Sequence, residues 1–494
     1  MVFSSLLFLA IFLPVVLLLY YAVPNRLYRN IILCIASLFF YAWGEPVFVI
    51  LMILSIFMNY GAGLLIGKYT RLNRPGAKKA TLIVAVILNL LMLGVFKYTP
   101  LVFDTLKAFV PSLRSMETPI AKQALYNAMG TFIPALRNYK VGLEGMLPIG
   151  ISFYTFQAMS YVIDVYRGDT GVQKNPMIFG TYVALFPQLI AGPIVRYKDI
   201  EDQMQGRRES AEQFASGIKL FVIGLAKKIL IANQVAVLWN QLRADSMGNG
   251  ALGSWVGMLA YTLQIYFDFA GYSDMAIGLG RMFGFEFLKN FDYPYISQSN
   301  TEFWRRWHIS LGTWFREYVY IPLGGNRRGL GRQILNLSIV WALTGLWHGA
   351  SWNFVLWGIW HGFFVVMEKL FLGKWLKKWP KALRHIYSLL VASFGWMLFD
   401  FTNLPQLFGF LGSMFGGGGG GLISHDALTL TLSYLPLLVV ACIASTPLAA
   451  NIRHKFDGKA WAEYADIGLV LIALVFCIAS LVASGYNPFI YFRF

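Results

Sequence analysis

Residues 333–371 read QILNLSIVWALTGLWHGASWNFVLWGIWHGFFVVMEKLF. From Gln333 to Met367 there is no Asp, Glu, Lys or Arg, and the ionisable side chains are His348 and His361. A helix needs ~20 mostly apolar residues to cross the hydrocarbon core of a bilayer. The stretch is therefore long enough for two passes, 333–350 and 352–371, meeting at Ser351. Working outward, comparable apolar runs lie at 2–23, 31–43, 47–67, 81–98, 147–166, 177–195, 215–240, 251–283, 386–401, 428–446 and 465–484. The length rule leads us to expect roughly ten to thirteen spans, with partial helices besides. Asp164 and Arg167 close one run, Lys227 and Lys228 interrupt another, and Asp268 and Asp274 sit inside a third. Broken or re-entrant helices are tolerated at membrane depth where protein or water surrounds them.

Composition agrees. The 494 residues are 57% hydrophobic and 13% charged, against ~45–50% and ~25% in a soluble protein. Mean hydropathy is +0.57. Strands of a transmembrane barrel would alternate polar and apolar residues, and these runs do not, so the fold class is all-α and polytopic. Net charge is +17. The basic residues cluster between runs, as Arg26 and Arg29, as Lys68, Arg71, Arg74, Lys78 and Lys79, and as Lys374, Lys377, Lys378, Lys381 and Arg384. That is the positive-inside pattern; it suits lipid headgroups rather than nucleic acid, and the three clusters are consistent with the cytoplasm if the N-terminus lies outside, with the sidedness of 168–300 unassigned. Met1–Val23 lacks a basic signal-peptide n-region and reads as a retained first helix. Cys34, Cys442 and Cys477 lie in apolar runs and read as small core residues. Residues 99–146 have an amphipathic look. Gly416–Gly421, within the 402–427 connection, reads as a flexible external loop. No internal repeat is visible, and the chain reads as one membrane domain, 1–494, with a motif-rich core over 147–372 and C-terminal helices over 386–494.

The residues able to carry chemistry concentrate in 264–362. There is no G-x-S-x-G elbow, H-E-x-x-H pair or P-loop. Asp268 and Asp274 are carboxylates in an apolar segment, which marks them as functional or as ion-paired, with Arg281, Arg305 or Arg306 as candidate partners. Thr301–Leu311 reads TEFWRRWHISL, a composition suited to an interfacial helix capped by Ser299 or Asn300. That role accounts for the arginines but poorly for Glu302 and His308. His348 lies between two long apolar runs, where a neutral imidazole serves either as a general base or as a hydrogen-bonded packing group. Gly345 and Gly349 clear space around it, and Trp347 and Asn353 flank it. On an unbroken helix His361 would lie ~20 Å from His348, outside any shared reaction centre.

Trp304-Arg305-Arg306-Trp307-His308, followed by Leu346-Trp347-His348-Gly349, resembles the membrane-bound O-acyltransferase (MBOAT) family. Phe186-Pro187-Gln188-Leu189-Ile190-Ala191-Gly192-Pro193, Leu147–Tyr154 and Gly271-Tyr272-Ser273-Asp274 are similar to its bacterial branch. The resemblance covers most of 1–372. It implies a ring of helices around a central funnel, with re-entrant and interfacial helices. It also implies His348 as the essential histidine and His308 as its partner. No tightly bound cofactor is implied; the donor would be acetyl-CoA or a related acyl donor, and no metal is expected. The implied setting is the bacterial cytoplasmic membrane. There the acyl group passes outward to an extracytoplasmic SGNH-like acetyltransferase, which esterifies an exported polysaccharide such as alginate. Peptidoglycan, cellulose and teichoic acid are the alternative acceptors. Arg305, Arg306, Arg327 and Arg328 are candidates for holding donor phosphates, since guanidinium forks match phosphate oxygens. Asp268, Asp274, Glu302, Trp347 and Asn353 would support the site. A non-enzymatic transporter would suit the same composition but often shows two related halves, and none is seen.

Overall fold

The computed structural model describes residues 1–110, 147–245, 248–484 and 489–490. Within these the secondary structure is helical, and eight helices are long and apolar enough to cross a membrane. The amphipathic stretch expected over 99–146 forms a helix over Thr99–Phe109; its remainder, 111–146, lies outside the described residues. The chain divides into two compact units.

The first unit is built mainly from Leu7–Ser210. Its helices include α1 (Leu13–Ala22), α2 (Arg26–Gly44), α3 (Val49–Arg71), α4 (Pro75–Leu93), α5 (Ile151–Arg167) and α6 (Pro176–Ala184). Asn25 caps α2, its side chain accepting from the Tyr28 N–H at 3.0 Å. Leu33, Cys34, Ser37, Phe40 and Tyr41 of α2 turn inward at helical spacing, while Ile35, Phe39 and Trp43 face out. Both faces are apolar, as lipid-contacting helices require. Asn59 of α3 and Asn89 of α4 exchange amide hydrogen bonds at 3.1 and 2.8 Å, a polar tie of the kind that joins helices where no water competes. The run expected as one span over 177–195 breaks after α6, at Leu185. Glu209 gathers Arg26 at 2.6 Å, Arg29 at 2.7 Å and the Tyr20 hydroxyl at 2.5 Å. Burial works to raise the Glu209 carboxyl, but Arg26 and Tyr20 outweigh it and hold it near 2.

The second unit holds Ala211–Phe283 and Leu288–Phe494. Helices α7 (Ala211–Ala226) and α8 (Asn233–Ala244) are joined by a π-turn, Lys227–Ala232, and pack on the long α9 (Gly250–Met282). Most of α9 is buried, so tyrosine, glutamine and serine can sit among its apolar residues without meeting lipid. The charges that interrupt two apolar runs answer one another across this packing. Lys227 Nζ lies 2.6 Å from Asp274, and Lys228 pairs with Asp268, which also accepts the Ile490 N–H at 2.8 Å. The partners are therefore lysines of the π-turn, not the arginines expected from sequence.

The hexaglycine run is docked rather than a free loop. The Gly421 and Leu422 carbonyls accept the N–H groups of Ala251 and Leu252, each at 3.0 Å. These are first-turn donors of α9 that have no partner within the helix. A Cβ on Gly420 would sit 2.2 Å from the Gly248 carbonyl oxygen, so only glycine allows this approach. Cys34 and Cys477 are buried as expected, whereas Cys442 is exposed.

Candidate active site

Four helices of the second unit position the candidate residues: α10 (Asn300–Arg306), α11 (Ile309–Phe315), α12 (Leu330–His348) and α13 (Trp352–Met367). The interfacial helix expected from Thr301 onward breaks at Trp307. Ser299 caps α10, accepting from the Glu302 N–H at 3.0 Å. The Glu302 carboxylate accepts from the Gln298 N–H and from Arg306, both at 3.0 Å, so this residue is occupied in fixing the helix start. His308 follows with left-handed backbone, φ 45 and ψ 54. That conformation costs a non-glycine residue ~1–2 kcal/mol and survives where surrounding contacts determine it, often at functional sites.

Asn290 supplies those contacts. Its carbonyl accepts the Ile309 N–H at 2.9 Å. Its side-chain oxygen accepts the Ser310 N–H at 3.2 Å and the Ser310 hydroxyl at 2.9 Å, which fixes the orientation of the amide. The same oxygen lies 3.2 Å from His308 Nδ1. An acceptor there places the ring proton on Nδ1, so Nε2 carries the lone pair. Nε2 is buried with no hydrogen-bond partner among the described residues. Burial pushes the His308 imidazole down to about 3. Such a ring is neutral at physiological pH, and its Nε2 is suited to accepting a hydrogen bond.

His348 ends α12, and the chain turns at once, Gly349 being extended. Helix α13 then runs back along α12 as a hairpin. Gly345 and Gly358 make the crossing possible: a Cβ on Gly345 would lie 2.4 Å from the Phe354 carbonyl oxygen, and one on Gly358 2.5 Å from that of Trp341. A Cβ on Gly349 would meet the Phe354 ring at 2.1 Å. These glycines admit the neighbouring helix, not the substrate space expected from sequence.

The hairpin also removes the long separation expected for His361. The Trp357 ring lies 4.7 Å from that of His348 and 5.1 Å from that of His361. Trp347 bridges the other pair, 5.8 Å from His308 and 4.9 Å from His348. His308 and His348 are thus two faces of one buried aromatic cluster, at 1% and 4% exposure. His361 Nδ1 lies 3.1 Å from Asn300 Oδ1 and 3.2 Å from the Trp304 indole nitrogen, and the ring tautomer decides which of the two it bonds. Asn353 donates to the Phe399 carbonyl at 3.0 Å and so ties the start of α13 to α14 (Lys381–Asp400).

A groove of about 760 Å³ is the setting of the basic residues. Arg305, Arg316, Lys369, Lys377 and Arg384 line it with Glu302 and Glu368. The candidate donor-binding set is therefore split. Arg305 faces the groove, Arg306 is paired with Glu302 at 3.0 Å and Asp292 at 3.1 Å, and Arg327 and Arg328 are exposed in the turn before α12. Sequence reading missed Asn290, which lies in the connection after α9 with no motif to mark it. It also missed Glu368, although a lone carboxylate closing the uncharged run of 333–367 was a visible signal.

His308 and His348 thus form a buried pair on an aromatic floor in an all-helical membrane chain. The sequence profile of the membrane-bound O-acyltransferase family matches residues 171–408. The chain belongs to that family and is an O-acyltransferase. A probable alginate O-acetylase AlgI of Pseudomonas putida is 40% identical to it over 515 aligned residues, spanning the whole of both chains. A peptidoglycan O-acetyltransferase of Helicobacter pylori is 29% identical over all of this chain and 98% of its own. A teichoic acid D-alanyltransferase of Bacillus subtilis is 27% identical over 51% of this chain and 68% of its own.

Proposed function

We propose that this protein is the membrane acetyltransferase of an exported-polysaccharide pathway, with alginate as the polymer finally acetylated. The observation that carries the reading is the shared Trp347 floor beneath His308 and His348, inside the segment that matches the family. Full-length similarity to alginate O-acetylases supports the acceptor. The donor is acetyl-CoA or a related acetyl thioester, its phosphates met by Arg305 and Arg316 in the groove. The protein sits in the bacterial cytoplasmic membrane and hands the acetyl group to an extracytoplasmic SGNH-like partner.

In this reaction His348 takes the proton of the acceptor hydroxyl. The hydroxyl oxygen attacks the thioester carbonyl, the carbon–sulfur bond breaks, and the thiolate leaves with the proton. An alcohol is a poor nucleophile without such a base, and histidine ionises in the useful range. His308, held neutral, orients the acceptor through Nε2. Glu302 and Asn353 fix the helices that carry the pair, Trp347 is its floor, and Asp268 and Asp274 fix α9, whose Phe269 ring lies 4.7 Å from that of His308.

The test is acetyl transfer from radiolabelled acetyl-CoA in membranes containing the protein and its partner, with alginate and peptidoglycan as competing acceptors. Label on alginate is expected; label on peptidoglycan alone would reassign the acceptor. A positioned base contributes ~10²–10⁴-fold in rate. His348→Ala and His348→Asn should therefore abolish transfer while insertion and folding persist. Near-normal transfer by His348→Asn would remove His348 from the chemistry.

A further inference from the structure

Glu368 is a carboxylate at the end of an apolar helix, and a carboxylate in that setting is costly unless its oxygens are satisfied. Both are. Oε1 accepts the Asn300 N–H at 2.7 Å and the Tyr387 hydroxyl at 3.0 Å. Oε2 accepts the Thr301 N–H at 2.8 Å and also the Thr301 hydroxyl. These donors are neutral, and hydrogen bonds to an ionised acceptor are the strong ones. Asn300 and Thr301 are the first two residues of α10, whose N–H groups have no partner within the helix. Glu368 therefore caps α10 from a different helix.

The same end of α10 is gripped further. Asn300 Nδ2 donates to the His361 carbonyl at 3.2 Å, and the Ser388 hydroxyl donates to the Ser299 carbonyl at 3.2 Å. A helix as short as α10 does not hold itself together in isolation, so its end contacts set where it lies. At its other end is His308, whose left-handed backbone is held by Asn290. The segment lies between two anchors, Glu368 at its start and Asn290 at its end.

We infer that Glu368 is a positioning residue: by capping α10 it holds His308 at its station against Trp347, and it takes no part in the bond changes. The inference rests on the assignment of His308 to the reaction. Glu368 also lines the basic groove, which offers a rival role, in which its charge merely tunes donor binding. The two roles differ in kinetics. Misplacement of a reacting group lowers kcat, whereas removal of a repelling charge lowers the KM of an anionic donor.

The full-length protein, reconstituted in lipid, would be compared with Glu368→Gln, Glu368→Asp and Tyr387→Phe variants. Acetyl transfer from radiolabelled acetyl-CoA and amide exchange over 300–309 would both be measured. Glu368→Gln should lower kcat ~10–10²-fold, as small misplacements do, with the donor KM unchanged. Amide exchange should accelerate over 300–309 and stay as in the wild type elsewhere. Glu368→Asp should restore part of the rate, and Tyr387→Phe should show a milder form of the same defect. Unchanged exchange over 300–309 in Glu368→Gln would overturn the capping role whatever the activity. A lower donor KM with normal kcat would establish the charge-tuning role instead. Faster exchange with normal kcat and KM would show that His308 is not needed at its station, which overturns its assignment to the reaction and the inference with it.

Discussion

His308 illustrates how a protein fixes one side chain through another. The Ser310 N–H orients the Asn290 amide, the amide fixes the imidazole tautomer, and burial keeps the ring neutral. The same burial makes a prediction about pH. The folded value of about 3 lies below the ordinary 6.5, so the unfolded chain binds the proton more readily between these limits. Stability then rises with pH across that window; it is fully present above pH 6.5 and is lost as pH falls toward 3. The detergent-solubilised protein should lose thermal stability on acidification from pH 7 to pH 4, and His308→Gln should lose less over the same range. Equal losses in the two proteins would show that the ring is not buried neutral.

At the scale of elements, close backbone approach recurs. The α12–α13 crossing and the docking of Gly420 at the start of α9 both leave no room for a Cβ. Gly420→Ala should destabilise the protein by ~1–3 kcal/mol, as overpacking does, and should loosen exchange at Ala251 and Leu252. Wild-type stability and protection in that variant would mean that the loop is not seated there. This docking could not be read from six glycines, because chain flexibility and close approach demand the same residue. The two passes were legible, because an uncharged run of that length bounded by charge leaves few alternatives, but the turn-back that brings His361 near His348 was not, since an unbroken helix keeps them ~20 Å apart. The break at Trp307 was not: Thr301–Leu311 contains neither Gly nor Pro, and the turn is imposed by Asn290 from outside the helix. Among the described residues eight helices are long and apolar enough to span, against the ten to thirteen spans expected, and buried helices such as α9, which mix polar with apolar residues, are not among the eight.

For the whole molecule, the membrane class was plain from composition, since 13% charge cannot cover the surface of a soluble chain of this length. The histidine pair was legible as two motifs, but their meeting at Trp347 depends on tertiary folding. The basic residues make a further test. Arg305→Glu with Arg316→Glu should raise the donor KM ~10-fold or more, since hydrogen bonds between ionised groups are the strong ones. Arg327→Glu with Arg328→Glu, in the exposed turn, should leave it near the wild-type value. The reverse result would move the donor's phosphates from the groove to the turn. The π-turn between α7 and α8 has a consequence for heredity. It lodges extra backbone in an otherwise regular helix, and each residue advances a helix by ~100°. Loss of a single codon within Lys227–Ala232 would leave a smoother helix, yet turn everything beyond it and separate Lys227 and Lys228 in register from the packing of α8 on α9. Among descendants of this gene, insertions and deletions should accumulate freely between helices and be purged from these six residues.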